Sequence, residues 1–132
     1  MRACYLDASA LVKLATLESE TAALREHLAS YSQRSTSRLA MVEVPRALTR
    51  KGTDGAGVEA LHVVFEGIVV INLDEGIAAI AAALSPGSLR SLDAIHLASA
   101  ISIGQELDAF ITYDIRLADA ARAAGLTVVI PA

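Results

Sequence analysis

The chain alternates short apolar runs with longer stretches in which apolar residues recur at helical spacing. Short runs rich in β-branched and small apolar residues are typical of buried strands. They predict strands at 2–6, 68–73, 109–113 and 127–130, with a further short strand at 35–36 in a polar segment. The helical spacing predicts helices that begin near residue 9 and then cover 21–29, 38–51, 58–67, 75–84, 92–103 and 115–124. A turn-rich break at 52–57 separates the third helix from the fourth.

This alternation of strands and helices predicts an α/β fold. Continuous apolar strands separated by helices are typical of a parallel sheet that is covered on both faces. The chain has 132 residues, shows no internal repeat or linker, and is expected to form a single domain over 1–132. In open parallel sheets, ligands bind beyond the carboxyl ends of the strands. Asp7 and Asp114 come directly after two predicted strands, at the edge where a site is expected.

Composition narrows the class of protein. Hydrophobic residues make up 54% of the chain, which is enough for a well-filled core. The single cysteine, Cys4, excludes an internal disulfide and favours a reducing, cytoplasmic compartment. No apolar stretch approaches the length of a membrane span, so no membrane association is expected. The residues before Asp7 are too few for a signal peptide.

The charge distribution is more informative than the net charge of −4, which by itself argues against a nucleic-acid partner. Between Arg34 and Lys51 there are five basic residues and one acid, so this window carries +4. The basic residues are Arg34, Arg38, Arg46, Arg50 and Lys51. A solvated helix face and a polyanion-binding face explain this window equally well.

Two further acids stand in apolar surroundings. Glu43 lies in "RLAMVEVPRAL" and Asp93 lies in "LRSLDAIHLASA", in the first turn of a predicted helix. Each of the four acids also has a structural explanation. Asp7 and Asp114 suit the N-caps of the helices that follow them, and Asp93 suits a helix dipole.

Glu43 has a structural explanation of its own, since it could pair with Arg46 or Arg50 along its helix. Four such acids in apolar stretches are nevertheless hard to explain separately, because each unpaired buried charge loses several kcal/mol of hydration.

If the four acids converge, they require a cation. Two carboxylates about 4 Å apart repel each other by roughly 4 kcal/mol at an effective dielectric constant near 20. An all-oxygen site without a cysteine or histidine cluster indicates magnesium, or manganese as a substitute. Such an ion retains water, and an activated water can attack a phosphodiester. The acids alone therefore predict metal-dependent phosphodiester chemistry.

Four motifs together resemble those of the PIN-domain ribonucleases, and in particular the VapC-type toxins of toxin–antitoxin pairs. They are "YLDASALVKL", "MVEVPRAL", "LRSLDAIHLASA" and "FITYDIRLADAARAAGL", in family order along almost the whole chain. The resemblance implies a three-layer α/β/α sandwich with a central parallel sheet. It implies magnesium-dependent RNA cleavage, a homodimer and inhibition by an antitoxin protein.

The resemblance also assigns roles to individual residues. It implies that Asp7, Glu43, Asp93 and Asp114 are both the catalytic residues and the metal ligands. Ser9 and Thr112 stand where the family often places hydroxyls that hold a metal-bound water or a carboxylate.

Other residues are candidates on weaker grounds. Arg90 precedes Asp93 and is expected to contact phosphate or a site carboxylate. Arg38, Arg46 and Arg50 are expected to form part of the RNA path, with antitoxin on the less polar surface nearby. His96 follows Asp93 by one turn, and a structural role is favoured over contact with RNA.

The sequence is less consistent with three other functions. A phosphoacceptor receiver would need a lysine late in the chain, but the only lysines are Lys13 and Lys51. A phosphatase of the haloacid type would need an aspartate two residues after Asp7, where Ser9 stands. A non-catalytic PIN-like domain that binds RNA or a partner is the main alternative, and the intact set of four acids argues against it.

Overall fold

A central five-stranded parallel sheet organises the fold. The computed structural model describes residues 2–52 and 55–132, except for the side chains of residues 55–58 and 60. The strands are β1 (Ala3–Leu6), β2 (Gln33–Ser37), β3 (Ile68–Ile71), β4 (Leu107–Ile111) and β5 (Val128–Val129). They are ordered β3-β2-β1-β4-β5, and every neighbouring pair is parallel. The predicted parallel α/β fold is therefore confirmed.

Helices cover both faces of this sheet. They are α1 (Ala8–Ala15), α2 (Thr21–Leu28), α3 (Ala40–Arg50), α4 (Gly55–Phe65), α5 (Glu75–Ala83), α6 (Ser91–Ile103) and α7 (Ile115–Ala123). A short 3-10 turn, Gly104–Glu106, leads from α6 into β4. No helix in the described part of the chain is long and apolar enough to cross a membrane.

The core has one cluster on each face of the sheet, because successive side chains of a strand point to opposite sides. From β1, Cys4 and Leu6 pack with apolar residues of α1 to α4, whereas Tyr5 packs on the other face with α6 and α7. In β4, Phe110 stacks on Tyr5, with ring centroids 5.4 Å apart. The layers are therefore helix, sheet and helix, with β1 in the centre.

The position of β1 determines where a site can form. The chain runs from β1 outward to β2 and β3, and then returns to place β4 and β5 on the other side of β1. In open α/β sheets, ligands typically bind at the carboxyl ends of the two strands that flank such a switch point, which here are β1 and β4. Asp7 follows β1 directly, and Thr112 and Asp114 follow β4.

Some element boundaries differ from those predicted. The polar strand β2 covers five residues, because its hydroxyls bond to the backbone of β1. Ser35 Oγ donates to the Cys4 carbonyl at 3.1 Å, and Thr36 Oγ1 donates to the Leu6 carbonyl at 2.7 Å. Strand β4 covers 107–111, which leaves Thr112 and Tyr113 outside the sheet. Within the predicted break at 52–57, residues 53 and 54 lie outside the described residues, and α4 already begins at Gly55.

Two predicted helix ends are closed by glycine. Gly104 follows α6 with φ +79°, and Gly125 lies two residues beyond α7 with φ +89°. These values lie in the left-handed region, where a side chain would be strained.

Candidate active site

Asp7 is held at the carboxyl end of β1 by three hydrogen bonds. Its Oδ1 accepts from Ser9 Oγ at 2.7 Å and from the Ala10 backbone N–H at 3.0 Å, and its Oδ2 accepts from Thr112 Oγ1 at 2.6 Å. The side chain is the N-cap of α1, as the structural explanation expected, and it is buried. Burial raises the pKa of Asp7, and the hydrogen bonds from Thr112, Ser9 and Ala10 oppose the rise.

Thr112 and Ser9 connect the ends of the two strands at the switch point. Besides its bond to Asp7, Thr112 Oγ1 accepts from the Asp114 backbone N–H at 3.0 Å. Ser9 Oγ lies 3.3 Å from Thr112 Oγ1 and accepts from the Tyr113 backbone N–H at 2.8 Å. The two hydroxyls therefore place Asp7 beside the loop that carries Asp114.

Asp114 is the N-cap of α7. Its Oδ1 accepts from the backbone N–H groups of Arg116 and Leu117, at 3.0 and 3.3 Å. Its other oxygen receives no hydrogen bond from the residues that the structure describes. The aspartate therefore caps the start of α7 with one oxygen and leaves the other oxygen for another ligand.

Asp93 lies in the first turn of α6 and accepts the fewest hydrogen bonds of the four acids. It is half-buried, and the described residues supply no hydrogen bond to its carboxylate. Burial raises the pKa of Asp93 most, and the Asp114 carboxylate raises it further, whereas His96 opposes the rise. Asp7 and Glu43 also contribute to this rise, so the other three carboxylates all lie within electrostatic reach of Asp93.

Glu43, in the first turn of α3, is bonded to a histidine. Its Oε1 lies 2.6 Å from His96 Nε2, and His96 Nδ1 lies 2.7 Å from the Tyr5 hydroxyl. His96 is buried, with 1% of its surface exposed, so it does not reach an RNA in solution. The alternative pairing of Glu43 with Arg46 or Arg50 is wrong, since within the described chain its ion-pair partner is His96.

The predicted arginines are exposed and do not pair with the acids of the site. Arg46 and Arg50 are exposed on α3, and Arg90 is the exposed residue that precedes α6. Arg38 is exposed and directs its Nε to Asn72 Oδ1, at 2.9 Å. Among the salt bridges of residues 2–52 and 55–132, none joins an arginine to a site carboxylate.

The donor set suits a hard divalent cation, since it consists of carboxylate oxygens. Three observations support this fit. The other three carboxylates raise the pKa of Asp93, oxygens of Asp93 and Asp114 accept no hydrogen bond from the described residues, and no lysine or arginine of the described chain pairs with the four acids. The side chains do not yet form a closed cage, because no group of three or more acids, histidines or cysteines among the described residues is positioned to hold a metal. Asp7 and Glu43 direct oxygens at Thr112 and His96 instead.

Two contacts of the site were not predicted from the sequence. They are the bond between Tyr5 and His96 and the bond between His96 and Glu43. The three residues of this chain of hydrogen bonds come from β1, α3 and α6, and Tyr5 and His96 are 91 positions apart. The one available signal was the spacing of Asp93 and His96, which places them on one face of α6.

Comparison with known proteins gives consistent matches over nearly the whole chain. A family model described as PIN domain matches residues 4–123. Ribonuclease VapC46 of Mycobacterium tuberculosis is 44% identical over 133 residues, covering 99% of both chains. Ribonuclease VapC47 of the same species is 40% identical over 131 residues, covering 96% of both.

Solved structures match the fold at lower identity. The crystal structure of M. tuberculosis VapC20, described as a sarcin–ricin-loop-cleaving toxin, superposes with a TM-score of 0.75 at 18% identity, covering 97% of this chain and 99% of that one. A toxin–antitoxin complex from Klebsiella pneumoniae superposes with a TM-score of 0.72 at 24% identity, covering 98% of both. These two structures share the three-layer architecture.

Proposed function

Because the chain belongs to the PIN-domain family, among the proteins named ribonuclease VapC, we propose that it is a magnesium-dependent endoribonuclease and the toxin of a toxin–antitoxin pair. The observation that carries the proposal is the meeting of Asp7 and Asp114 at the switch point of the sheet, where Thr112 bonds to both, with Asp93 within electrostatic reach of them and of Glu43. Such a grouping of carboxylates is unfavourable unless a cation binds there. The function of the named relatives supplies the substrate class, which is RNA.

Asp7, Glu43, Asp93 and Asp114 would hold the ion, with manganese as a substitute for magnesium. When bound, the ion would lower the pKa of its water and offset the charge that develops on the phosphodiester. The protein contributes placement: Ser9 and Thr112 orient Asp7, and the first turn of α7 orients Asp114. The neutral hydroxyls leave the negative charge of Asp7 in place, which keeps it available to a cation.

An RNA path along α3 follows from helix geometry. Arg50 lies seven residues after Glu43, which is two helical turns, so both project from one side of α3. Arg46 lies one turn from Glu43 and flanks that side. These exposed arginines would bind phosphates next to the acids. Arg38 lies at the carboxyl end of β2, and we include it and Arg90 as outer phosphate contacts.

The antitoxin would bind the opposite flank of α3. A groove of about 430 Å³ there is lined by α3 and α4. Its lining residues are Met41, Pro45, Leu61, His62, Phe65 and Glu66. Exposed apolar surface of this kind suits a partner helix. Met41→Glu should let the protein cleave RNA in the presence of its antitoxin; continued inhibition would rule this groove out.

The proposal also includes a homodimer and a single domain over residues 1–132. Sedimentation equilibrium would give the mass of the particle, and a monomer at micromolar concentration would contradict the dimer. Coincident thermal unfolding by circular dichroism and tyrosine fluorescence would support one domain, whereas two separate transitions would contradict it.

The deciding experiment is cleavage of total RNA by the purified protein. We expect cleavage with magnesium, none with a chelator, and a loss of at least about 10²-fold in Asp7→Asn. Asparagine is as good an N-cap as aspartate, so this variant should fold. Asp119→Asn is the matched control, because Asp119 is exposed on α7 and contacts only Arg122 among the described residues, at 3.5 Å.

A non-catalytic function remains the second candidate, because the described acids do not form a closed cage. A folded protein that binds RNA but neither binds manganese nor cleaves would support this alternative and overturn the nuclease.

A further inference from the structure

The contact between Glu43 and His96 joins the two helical layers at the edge of the sheet. Glu43 comes from α3 on one face, and His96 comes from α6 on the other. Their atoms lie 2.6 Å apart. Because His96 is 1% exposed while the Glu43 side chain is 23% exposed, the histidine is the fixed partner and the glutamate the one with access to solvent.

His96 is itself held in orientation. Its Nδ1 lies 2.7 Å from the Tyr5 hydroxyl, and the two rings meet edge to face at 5.9 Å between centroids. Tyr5 in turn stacks on Phe110. Because a carboxylate only accepts hydrogen bonds, Nε2 carries the proton in the bond to Glu43. In a neutral ring, Nδ1 then accepts from the Tyr5 hydroxyl.

We infer that His96 is a positioning residue for Glu43: it binds one carboxylate oxygen and leaves the other free for the cation of the active site. The inference rests on the proposed metal-dependent function. Outer partners of this kind typically change metal affinity by about 10–100-fold when removed.

The test compares two substitutions of His96 that each keep one of its hydrogen bonds. His96→Gln places an amide donor near the position of Nε2 and retains the bond to Glu43. His96→Asn can still accept from Tyr5 but no longer reaches Glu43. We expect His96→Asn to weaken manganese binding about 10–100-fold and His96→Gln to bind nearly as wild type. Titration calorimetry measures the affinity, and thermal unfolding checks the fold of each variant.

A double-mutant cycle with Glu43→Gln identifies the route of the effect. If His96 acts through Glu43, His96→Asn will cause no further loss of affinity in the Glu43→Gln background. Equal manganese affinity of wild type and folded His96→Asn would overturn the inference. Tighter binding by His96→Asn would also overturn it, since it would mean that His96 competes with the metal. A wild-type protein that binds no manganese would instead overturn the proposed function.

A measurement on the wild-type protein does not depend on whether the variants fold. The proton on Nε2 of a buried, hydrogen-bonded histidine is observable by NMR. We expect this signal in the metal-free protein, and we expect it to shift but persist when magnesium is added. Loss of the signal on binding would show that Glu43 leaves His96 to reach the ion, which contradicts a positioning role.

Discussion

Among the individual residues of the site, the four carboxylates differ in the number of hydrogen bonds that they accept. Asp7 accepts three hydrogen bonds, Asp114 accepts two from the backbone, and Glu43 is bonded to His96. Asp93 accepts no hydrogen bond from the described residues, and the other three carboxylates raise its pKa. The charge of Asp93 therefore opposes folding when no metal is bound.

Replacing Asp93 with asparagine should stabilise the metal-free protein. The folded state raises the pKa of Asp93 above its usual 3.8, so the folded protein retains this proton more strongly than the unfolded chain. The protein therefore loses stability as the pH rises from the pKa of Asp93 in the unfolded chain, about 3.8, through its higher pKa in the folded state. Asp93→Asn should raise the unfolding temperature by a few degrees at pH 7 in chelator, and the difference should vanish below the unfolded pKa.

Asp119→Asn is again the control, since its side chain is 71% exposed and its removal should change the unfolding temperature little. A lower unfolding temperature for Asp93→Asn at pH 7 would contradict the argument. The same variant should lose RNA cleavage, because the charge that destabilises the fold is the charge proposed to bind metal.

Sequence alone could identify the four acids because each interrupts an apolar stretch, and a charge in such a place requires an explanation. It could not identify the partner of Glu43. The arginines one and two turns along α3 were the nearest candidates by spacing, but tertiary packing supplied His96 from another helix. Contacts between residues 53 positions apart leave no pattern in a single sequence.

Among the elements, β1 and β4 are joined by a side chain beyond the point where their main-chain pairing ends. The last pair of the ladder is Leu6 and Ile111, and its last main-chain bond runs from the Asp7 backbone N–H to the Ile111 carbonyl, at 3.2 Å. Beyond it, Thr112 Oγ1 donates to the Asp7 carboxylate at 2.6 Å. The hydroxyl of Thr112 thus extends the pairing of the two strands into the site.

Thr112→Val should destabilise the protein by about 1–3 kcal/mol, because it leaves a buried carboxylate oxygen and the Asp114 N–H without their partner. Valine has nearly the same shape, so little of the loss would come from packing. Thr112→Ser retains the hydroxyl and should lose much less. Urea unfolding measures both variants, and equal stabilities for Val and Ser would show that the hydroxyl is unimportant.

The strands that were predicted least well are those in which side chains bond to the backbone. Only residues 35–36 of β2 were predicted as a strand, because the segment is polar, yet Ser35 and Thr36 are buried and their hydroxyls donate to carbonyls of β1. Thr112 and Tyr113 read as the continuation of β4, but hydrogen bonds around Asp7 and Ser9 take this segment out of the ladder. Hydrophobic periodicity does not report such bonds.

At the scale of the whole molecule, an acidic protein is proposed to bind a polyanion. The net charge of −4 includes the four site acids, so the long-range field does not favour RNA. Local contacts must supply the affinity, and Arg46 and Arg50 are the exposed cations on the side of α3 that carries Glu43.

Replacing both arginines with alanine should weaken RNA binding and reduce its dependence on salt. Each lost contact with a single-stranded phosphate lowers the slope of log K against log salt by about 0.7, so the double variant should lose roughly 1.4. Fluorescence anisotropy in an Asp7→Asn background measures binding without cleavage. Arg122→Ala, on α7, is the control, and an unchanged slope in the double variant would rule out this path.

The alternation of short apolar runs with helical stretches predicted the parallel sheet and its helical layers, since few other architectures fit that pattern. The order of the strands did not follow from it. That β1 is central, with β2 on one side and β4 on the other, depends on pairing between residues about a hundred positions apart, as between Tyr5 and Phe110. The convergence of Asp7 and Asp114 at one edge was expected, whereas the position of the switch point between β1 and β4 is a finding.

The bond between Thr112 and Asp7 spans 105 positions of the chain, and this separation has a consequence for synthesis. On the ribosome, the residues of β1, α1 and α3 emerge long before β4 is translated. Asp7 then lacks the hydroxyl that orients it, and Asp114 does not yet exist. A growing chain of this protein therefore has no complete site until β4 has been made and has paired with β1, so the proposed cleavage of RNA cannot begin before that point.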